Sequence, residues 1–488
     1  MTVNYKFKTE PYAHQVTALD RSLDRNAYAF FAEMGAGKSK MLIDTISNLY
    51  VNGEIDFALI IAPKGVYRNW TNKEIPDHFP DDIPHRIIRW VASPNKTQQA
   101  ELRSINKKFD GLTIFVMNVE AFSTVKGKAA GEWMSKNLGP RGLVGIDEST
   151  TIKSHKAKRT KALIKIGAGF KYRRIMTGSP ITKEPMDIYA QAAFLGPRTI
   201  GFDSFYAFQA RYAITQKRTM GAHSFNQVVG YRNLDELTAK IDTFSYRVLK
   251  EDCLDLPEKT YTARYVTLTD EQRRMYEQIR QEGFLLLGEG EMVSTPQVIT
   301  QMLRLQQVMS GHLMTDDGEL MTFPSGRITA LLEAVAETSD KIVIFCRFRH
   351  TIKEVQKALE KEYGEGSAVT YFGDTSVEDR EFAVKSFQDP DSKTRFFISN
   401  KTGAYGITLT ASSTVIFMEN DYSLECRLQA SDRVHRIGQT KPVTYIDLVA
   451  EGTIDEKIVE NLQNKIDMSA KVLGEEAREW LSLKPKTK

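Results

Sequence analysis

The sequence predicts an α/β protein of two lobes, each a parallel sheet covered by helices, and three stretches carry that prediction. "YAFFAEMGAGKSKMLIDTISNLY" reads as a short strand (Tyr28 to Phe31), a glycine-bearing loop and an amphipathic helix from about Lys38. "RGLVGIDEST" reads as an apolar strand, Leu143 to Ile146, that ends in two adjacent carboxylates. From about Asp340 a second alternation begins, with strands in "KIVIFCRF", "AVTYFGD", "TRFFISN" and "STVIFMEN" and helices in "HTIKEVQKALEKEY" and "VEDREFAVKSFQ". Strands separated by helices of that length build a parallel, helix-covered sheet. At 488 residues the chain is also too long for a single hydrophobic core. "EDCLDLPEKTY" marks a boundary, so lobes are expected at 1–255 and 256–453, followed by a helical tail over 454–488.

Composition narrows the class. A hydrophobic content of 41% and a charged content of 26% are those of a globular protein. The three cysteines, Cys253, Cys346 and Cys426, are scattered without CxxC or CxxH spacing, which argues against a disulfide framework and against a zinc site. The expectation is a protein of a reducing, intracellular compartment, and with no run of 18 apolar residues or secretory leader, not a membrane protein. A net charge of +4 does not by itself announce a nucleic-acid partner. Local charge says more. Ser149 to Thr182 holds nine Lys/Arg and no Asp/Glu. Such a run is often only a solvated face, but directly after the acidic pair it reads as a surface that meets phosphate.

Within the first stretch, Ala32-Glu-Met-Gly-Ala-Gly37-Lys38-Ser39 matches the phosphate-binding loop, with Ala in place of the first Gly. Small residues, Gly35 and Gly37 here, let backbone N–H groups wrap a β-phosphate at a helix N-terminus. Lys38 supplies charge to the β- and γ-phosphates, and Ser39 a hydroxyl to Mg²⁺. The pair Asp147-Glu148 completes the set: the first carboxylate suits the metal and the second suits polarising the attacking water. The reactant implied is ATP with Mg²⁺.

The second lobe has no phosphate loop, so a nucleotide between two such lobes would use the second for something the first lacks. "DRVHRIGQT", Asp432 to Thr440, supplies a candidate. Arg433 and Arg436 suit arginine fingers that reach a γ-phosphate from the opposite lobe. The bland alternative is a surface segment with solvated arginines.

The motifs "EMGAGKS", "IAPKGVYRNW", "IDEST", "MTGSP", "VIFCRF", "YFGDTS", "NKTGAYGITLTAS" and "QASDRVHRIGQTKPV", in this order, resemble superfamily 2 helicases. "DRVHRIGQ" followed by "GTIDEKI" resembles the Snf2 branch specifically. The resemblance implies two RecA-like lobes, helical protrusions at about 195–255 and 262–325, and a C-terminal helical brace. It implies that Gln15 contacts adenine and that Gly37, Lys38 and Ser39 hold phosphates and metal. It also implies that Thr177, Gly178 and Ser179 couple hydrolysis to nucleic acid, that Pro63, Lys64, Lys401, Thr402 and Thr410 face a DNA backbone, and that Gln429, Arg433 and Arg436 belong to the γ-phosphate-sensing motif. Two departures stand out: Ser149-Thr150 after the acidic pair, and a bulky Tyr405 in the fifth motif.

The expected activity is ATP-driven translocation along duplex DNA without full strand separation. The tasks open to so compact a motor are remodelling of branched or forked DNA, by fork regression, branch migration or annealing, and displacement of bound proteins. A strand-separating helicase is the alternative within the same class, and a nucleotide-switched clamp or loader the alternative outside it. The resemblance favours DNA over RNA as the track, a monomer, and the cytoplasm of a bacterium or a phage-infected cell.

Overall fold

The computed structural model describes residues 5–220, 223–288, 295–315, 317–404 and 406–475. The chain forms two compact units. Among the described residues the first comprises 5–215, Val228–Asp255 and 468–475, and the second Gln216–Gln227 and Leu256–Asp467.

The strands up to the boundary are β1 (Ala27–Ala32), β2 (Phe57–Ala62), β3 (His85–Arg89), β4 (Leu112–Asn118), β5 (Gly142–Asp147), β6 (Tyr172–Met176), β7 (Ala213–Met220), β8 (His223–Tyr231) and β9 (Ser245–Val248); all belong to the first unit except that β7 and β8 are divided, their residues within Gln216–Gln227 counting with the second. Seven of them make one sheet in the order β3-β4-β2-β5-β6-β1-β9, with every pairing parallel. Strands covered on both faces must be apolar at every position, and "FALIIA" of β2 is buried throughout. Alternate residues serve opposite cores. Phe57, Leu59 and Ile61 join one cluster, with Leu163, Ile188 and Leu237 from three covering helices. Ala58, Ile60 and Ala62 join the other, with Met41, Ile43 and Ile46 from the helix Lys38–Val51.

The region expected to be a helical protrusion is only partly helical. "FYAFQARY" is a helix, Phe205–Tyr212, but the chain then runs into β7 and β8, which pair as a two-stranded sheet. The β-branched residues Ile214, Thr215 and Thr219, and Val228 and Val229 opposite, favour a strand over continuation of the helix.

The second unit adds β10 (Lys259–Val266), β11 (His312–Met314), β12 (Leu320–Thr322), β13 (Lys341–Phe345), β14 (Ala368–Tyr371), β15 (Phe396–Ser399), β16 (Ser412–Phe417) and β17 (Val443–Ala450). Its main sheet runs β10-β17-β16-β13-β15-β14, again all parallel. Ile342 and Ile344 of β13 face one core and Val343 and Phe345 the other. The strands and helices expected from Asp340 onward are all present. Strand β10, within what sequence reading treated as boundary and insertion, pairs with β17 along its whole length, from Lys259 opposite Val443 to Val266 opposite Ala450. The segment "TDEQRRMYEQIRQEGFLLL" lies in the helix Asp270–Gly288; the side chains of 282–298, and Tyr405, lie outside the described residues.

Two buried ion pairs tie the second unit's layers together. Arg427 meets Asp447 on β17, donating from Nη2 at 2.8 Å, while its guanidinium lies 3.4 Å from the centre of the Phe417 ring. Arg327 pairs with Asp455 at the start of the C-terminal helix Ile454–Leu473 and donates to the Leu448 carbonyl at 2.9 Å. Asp455 and Glu456 in that helix's first turn also suit its positive N-terminal end. Burying charges is costly, so each pair stands because every member is hydrogen-bonded. Residues 476–488, expected as further helix, lie outside the described residues. Among the described residues no helix is long and apolar enough to cross a membrane.

Candidate active site

The strand order puts the first unit's functional loops side by side. In parallel strands every C-terminal end lies on one sheet edge, and loops there line the crevice where ligands bind. The order β2-β5-β6-β1 therefore sets Lys64, the Asp147-Glu148 pair, the Thr177–Ser179 loop and the phosphate loop in sequence along that edge. Register keeps three of them level, since Asp147 pairs with Met176 and Met176 with Phe30.

The phosphate loop has the backbone its chemistry requires. Gly35 and Gly37 sit at φ +83° and +78°, the left-handed region that disfavours residues with a Cβ. A Cβ at Gly37 would also come within 2.1 Å of Gln15 Nε2. Lys38, at the first position of its helix, turns back over the loop and donates to the carbonyls of Ala32 at 3.0 Å and Glu33 at 3.3 Å. Ser39 beside it is half-buried. Gln15 is buried; its Oε1 accepts from the Tyr12 amide at 2.9 Å and its Nε2 lies 3.5 Å from the Ala36 and Gly37 carbonyls. The amide thus faces the phosphate loop.

The acidic pair is held by partners far away in sequence. Asp147 Oδ2 accepts from the indole Nε1 of the buried Trp70 at 3.0 Å, and Oδ1 accepts from the Glu148 amide at 3.0 Å. Burial pushes the Asp147 carboxyl above its ordinary pKa, opposed by the Trp70 hydrogen bond and the Lys38 charge. Trp70 opens a π-helical turn, Trp70–Glu74, a form concentrated at functional sites. Glu148 itself adopts φ +48°, ψ +63°. A non-glycine residue there stores strain of order 1–3 kcal/mol, which persists only where surroundings impose it. Here Thr177 Oγ1 donates to Glu148 Oε2 at 3.2 Å.

Thr177 and Gly178 link the two halves of the site. Thr177 is buried, and its Oγ1 also accepts from the Ser179 amide at 3.2 Å. A Cβ on Gly178 would press to 3.0 Å from the Met34 amide of the phosphate loop, so any larger residue would push the two loops apart by a few tenths of an ångström. Arg247, on β9, donates to the Gly178 carbonyl at 2.9 Å and the Phe31 carbonyl at 3.1 Å, and pairs with Glu475 at 2.5 Å. Farther along the edge, Pro63 is buried while Lys64 is exposed, its amide donating to Glu120 at 3.1 Å.

The remaining predicted residues gather in the second unit. The segment from Asp432 follows a short helix, Leu424–Ser431, and not a strand. Arg433 is buried and donates to the carbonyls of Gln429 at 3.0 Å and Ile407 at 3.2 Å; Arg436 is half-buried and donates to the same Ile407 carbonyl at 3.3 Å. The histidine between them anchors the segment, its Nε2 lying 2.8 Å from the Pro257 carbonyl. Gln439 fastens the other end by donating to the Ser412 carbonyl at 2.7 Å. Gln429 is buried, and among the described residues neither of its amide atoms has a hydrogen-bond partner. Lys401 is exposed at the end of β15, on the rim of a cleft of about 310 Å³ also lined by Arg347, Asn400 and Asn420. Thr402 donates its amide to Asn400 Oδ1 at 2.9 Å, and Thr410 Oγ1 accepts from Gln388 at 3.3 Å.

Trp70, Arg247, His435 and Gln439 are the residues that sequence reasoning passed over. Trp70, His435 and Gln439 lay inside quoted motifs, "YRNW" and "HRIGQ", and carried a signal that their neighbours overshadowed.

A glycine loop with its lysine, an adjacent carboxylate pair and a threonine between them on one sheet edge define a P-loop nucleoside triphosphatase unit. The SNF2-related domain matches residues 14–313, and the helicase conserved C-terminal domain matches residues 326–438. The chain belongs to the SNF2-related family of helicase superfamily 2. It is 24% identical over 95% of its length to an uncharacterized ATP-dependent helicase of Mycoplasma genitalium, and 27% identical over 90% to the SWI/SNF chromatin-remodeling complex subunit snf22 of Schizosaccharomyces pombe. It spans 42% and 26% of those two relatives. Among solved structures, the SWI2/SNF2 ATPase core of Sulfolobus solfataricus in complex with dsDNA is matched over 96% of each chain, at 24% identity and a TM-score of 0.43.

Proposed function

We propose that this chain is a DNA-dependent ATPase that converts hydrolysis into translocation along duplex DNA. The observation that carries the reading is the Thr177–Glu148 hydrogen bond, with Gly178 packed on the phosphate loop. It makes the group that activates water, the group that senses the phosphate loop and the loop itself one mechanical piece.

Each residue then has a task. The phosphate loop's amides and Lys38 exchange their internal carbonyl partners for phosphate oxygens. Glu148 accepts a proton from the attacking water, and Thr177 fixes the direction of its carboxylate. Arg433 and Arg436 bring positive charge to the γ-phosphate, and the buried amide of Gln429 finds its partners in the nucleotide-bound state. Ser39 and Asp147 offer a hydroxyl and a desolvated carboxylate, an oxygen donor set suited to Mg²⁺. When bound, such an ion supplies charge neutralisation on the phosphate oxygens. Lys64, Lys401 and Thr402 grip the DNA backbone, so binding is weakly sequence-dependent and strongly salt-dependent. Branched or forked DNA is the track we favour, acted on by a monomer.

Trp70 orients a metal-binding carboxylate in this scheme. Trp70→Phe keeps most of the apolar packing but removes the donor, and the expected result is a 10- to 100-fold loss in apparent Mg²⁺ affinity or turnover, about the usual cost of losing an outer-shell partner. A magnesium titration of ATPase rate checks it.

The function is tested by measuring ATPase rate with matched linear duplex, single-stranded, forked and four-way-junction DNA, using Lys38→Ala as the blank. Strong stimulation by duplex, greatest on forks or junctions, is expected. Stimulation by single strands alone would point to a strand-separating helicase, and none by any DNA would sink the proposal.

A further inference from the structure

The basic run from Ser149 to Thr182 divides into two parts that composition does not distinguish. Its far end is engaged by the fold: Arg174 is buried and donates to the Ser22 carbonyl at 2.8 Å and the Arg25 carbonyl at 3.0 Å, and Lys171, though exposed, pairs with Glu54 at 2.5 Å. The near end is different. Lys156, Lys158 and Lys161 are exposed and Arg159 half-buried, and none of the four makes an ion pair among the described residues. They stand at the start of the helix Lys158–Gly167, whose first turn has no acidic residue and whose N-cap, Ala157, has no side-chain oxygen to offer. Cations at the positive end of a helix oppose its dipole, so these charges do nothing for the fold that carries them.

An aromatic group adjoins them. The His155 ring stacks on Phe205, with centroids 3.5 Å apart, and its buried Nε2 has no hydrogen-bond partner among the described residues. Tyr206 stands edge-on to the same histidine at 6.5 Å and is 70% exposed. Between this patch and the catalytic pair lies only the short 3₁₀ segment Ser149–Ile152 and the turn after it. That segment is pinned where Ser149 Oγ donates to Gln191 at 2.7 Å.

We infer that Lys156, Lys158, Arg159 and Lys161, with Tyr206 beside them, form a further contact for the DNA phosphodiester backbone, separate from the loops at the strand ends. The inference rests on reading the protein as a DNA motor. Clustered, unpaired cations match the line of phosphates along a DNA strand, and the exposed ring offers an apolar face to the deoxyribose between them. The patch is carried on the segment that leaves Glu148, so a track held there is held by the same piece of backbone as the catalytic carboxylate.

The test compares the salt dependence of binding to a labelled blunt duplex for the wild type, Lys156→Ala/Lys158→Ala/Lys161→Ala, and a control, Lys96→Ala/Lys107→Ala/Lys108→Ala. The control removes the same charge from exposed lysines elsewhere on the first unit. Each lost phosphate contact lowers the slope of log K against log salt by about 0.9. The patch variant is expected to be shallower than wild type by about 2.7, with the control close to wild type and both variants melting as wild type does. Equal slopes for the two variants overturn the inference and leave the patch to an acidic protein surface. A wild type that binds no duplex overturns the motor reading itself, and this contact with it.

Discussion

Glu148→Gln is expected to lower ATP turnover by about 10²- to 10⁴-fold, the range a positioned general base contributes, while nucleotide affinity stays near wild type. The substitution keeps size, shape and the acceptor that Thr177 Oγ1 donates to. What it removes is the ability to take a proton. The backbone supports this assignment. Glu148 is one of three non-glycine residues at positive φ among the described residues. A strained conformation at the junction between β5 and the next helical turn aims the carboxylate where relaxed backbone would not. Steady-state turnover together with binding of a fluorescent nucleotide separates the two effects. Turnover at the wild-type rate would remove Glu148 from the chemistry. Full biological function in a variant that binds but does not hydrolyse would make the protein a nucleotide-controlled clamp and not a motor.

The parts legible in the sequence are those where local chemistry leaves few choices. A phosphate loop needs glycine at fixed positions before a lysine, and Gly35 to Lys38 announce it. A strand covered on both faces needs an unbroken apolar run, which is why β1, β5, β13 and β16 stand out. Strand β10 does not. "KTYTARYV" is exposed or half-buried at seven of its eight positions and alternates like an edge strand; only its pairing with β17 defines it. The hairpin of β7 and β8 was hidden behind the helical apolar spacing of its neighbour. Most of the site's supporting residues were illegible for one reason, sequence distance: Trp70 and Asp147 are 77 residues apart, Arg247 and Gly178 69, and Arg247 and Phe31 216. Contacts of that range leave no periodicity for a local reading to detect. The basic run shows the converse, since identical residue types within it serve as buried structural donors at one end and exposed charge at the other.

The same distinction separates the two arginines of "DRVHR", and it gives the larger of the expected effects. Arg436→Ala should cut turnover by about 10³- to 10⁵-fold, the range over which an arginine finger acts, with little change in melting temperature. Arg433→Ala should impair turnover and also destabilise the second unit. Arg433 is buried, with its Nε on the Gln429 carbonyl and Nη1 on the Ile407 carbonyl; its loss takes the side-chain donor from the Gln429 carbonyl at a cost of about 1–3 kcal/mol, while Ile407 keeps its bond from Arg436. Arg436 is half-buried, and its 3.3 Å bond to Ile407 is one that a phosphate oxygen can replace. Arg436→Lys is a useful third variant. It keeps the charge but not the planar fork, so partial recovery would indicate that charge at the γ-phosphate matters more than bidentate geometry. Turnover, nucleotide binding and thermal unfolding measured on all three variants discriminate the roles. If Arg436→Ala hydrolyses ATP at the wild-type rate, Arg436 is no arginine finger; if Arg433→Ala does so as well, the second unit contributes no charge to the reaction and its part in the cycle is confined to gripping DNA.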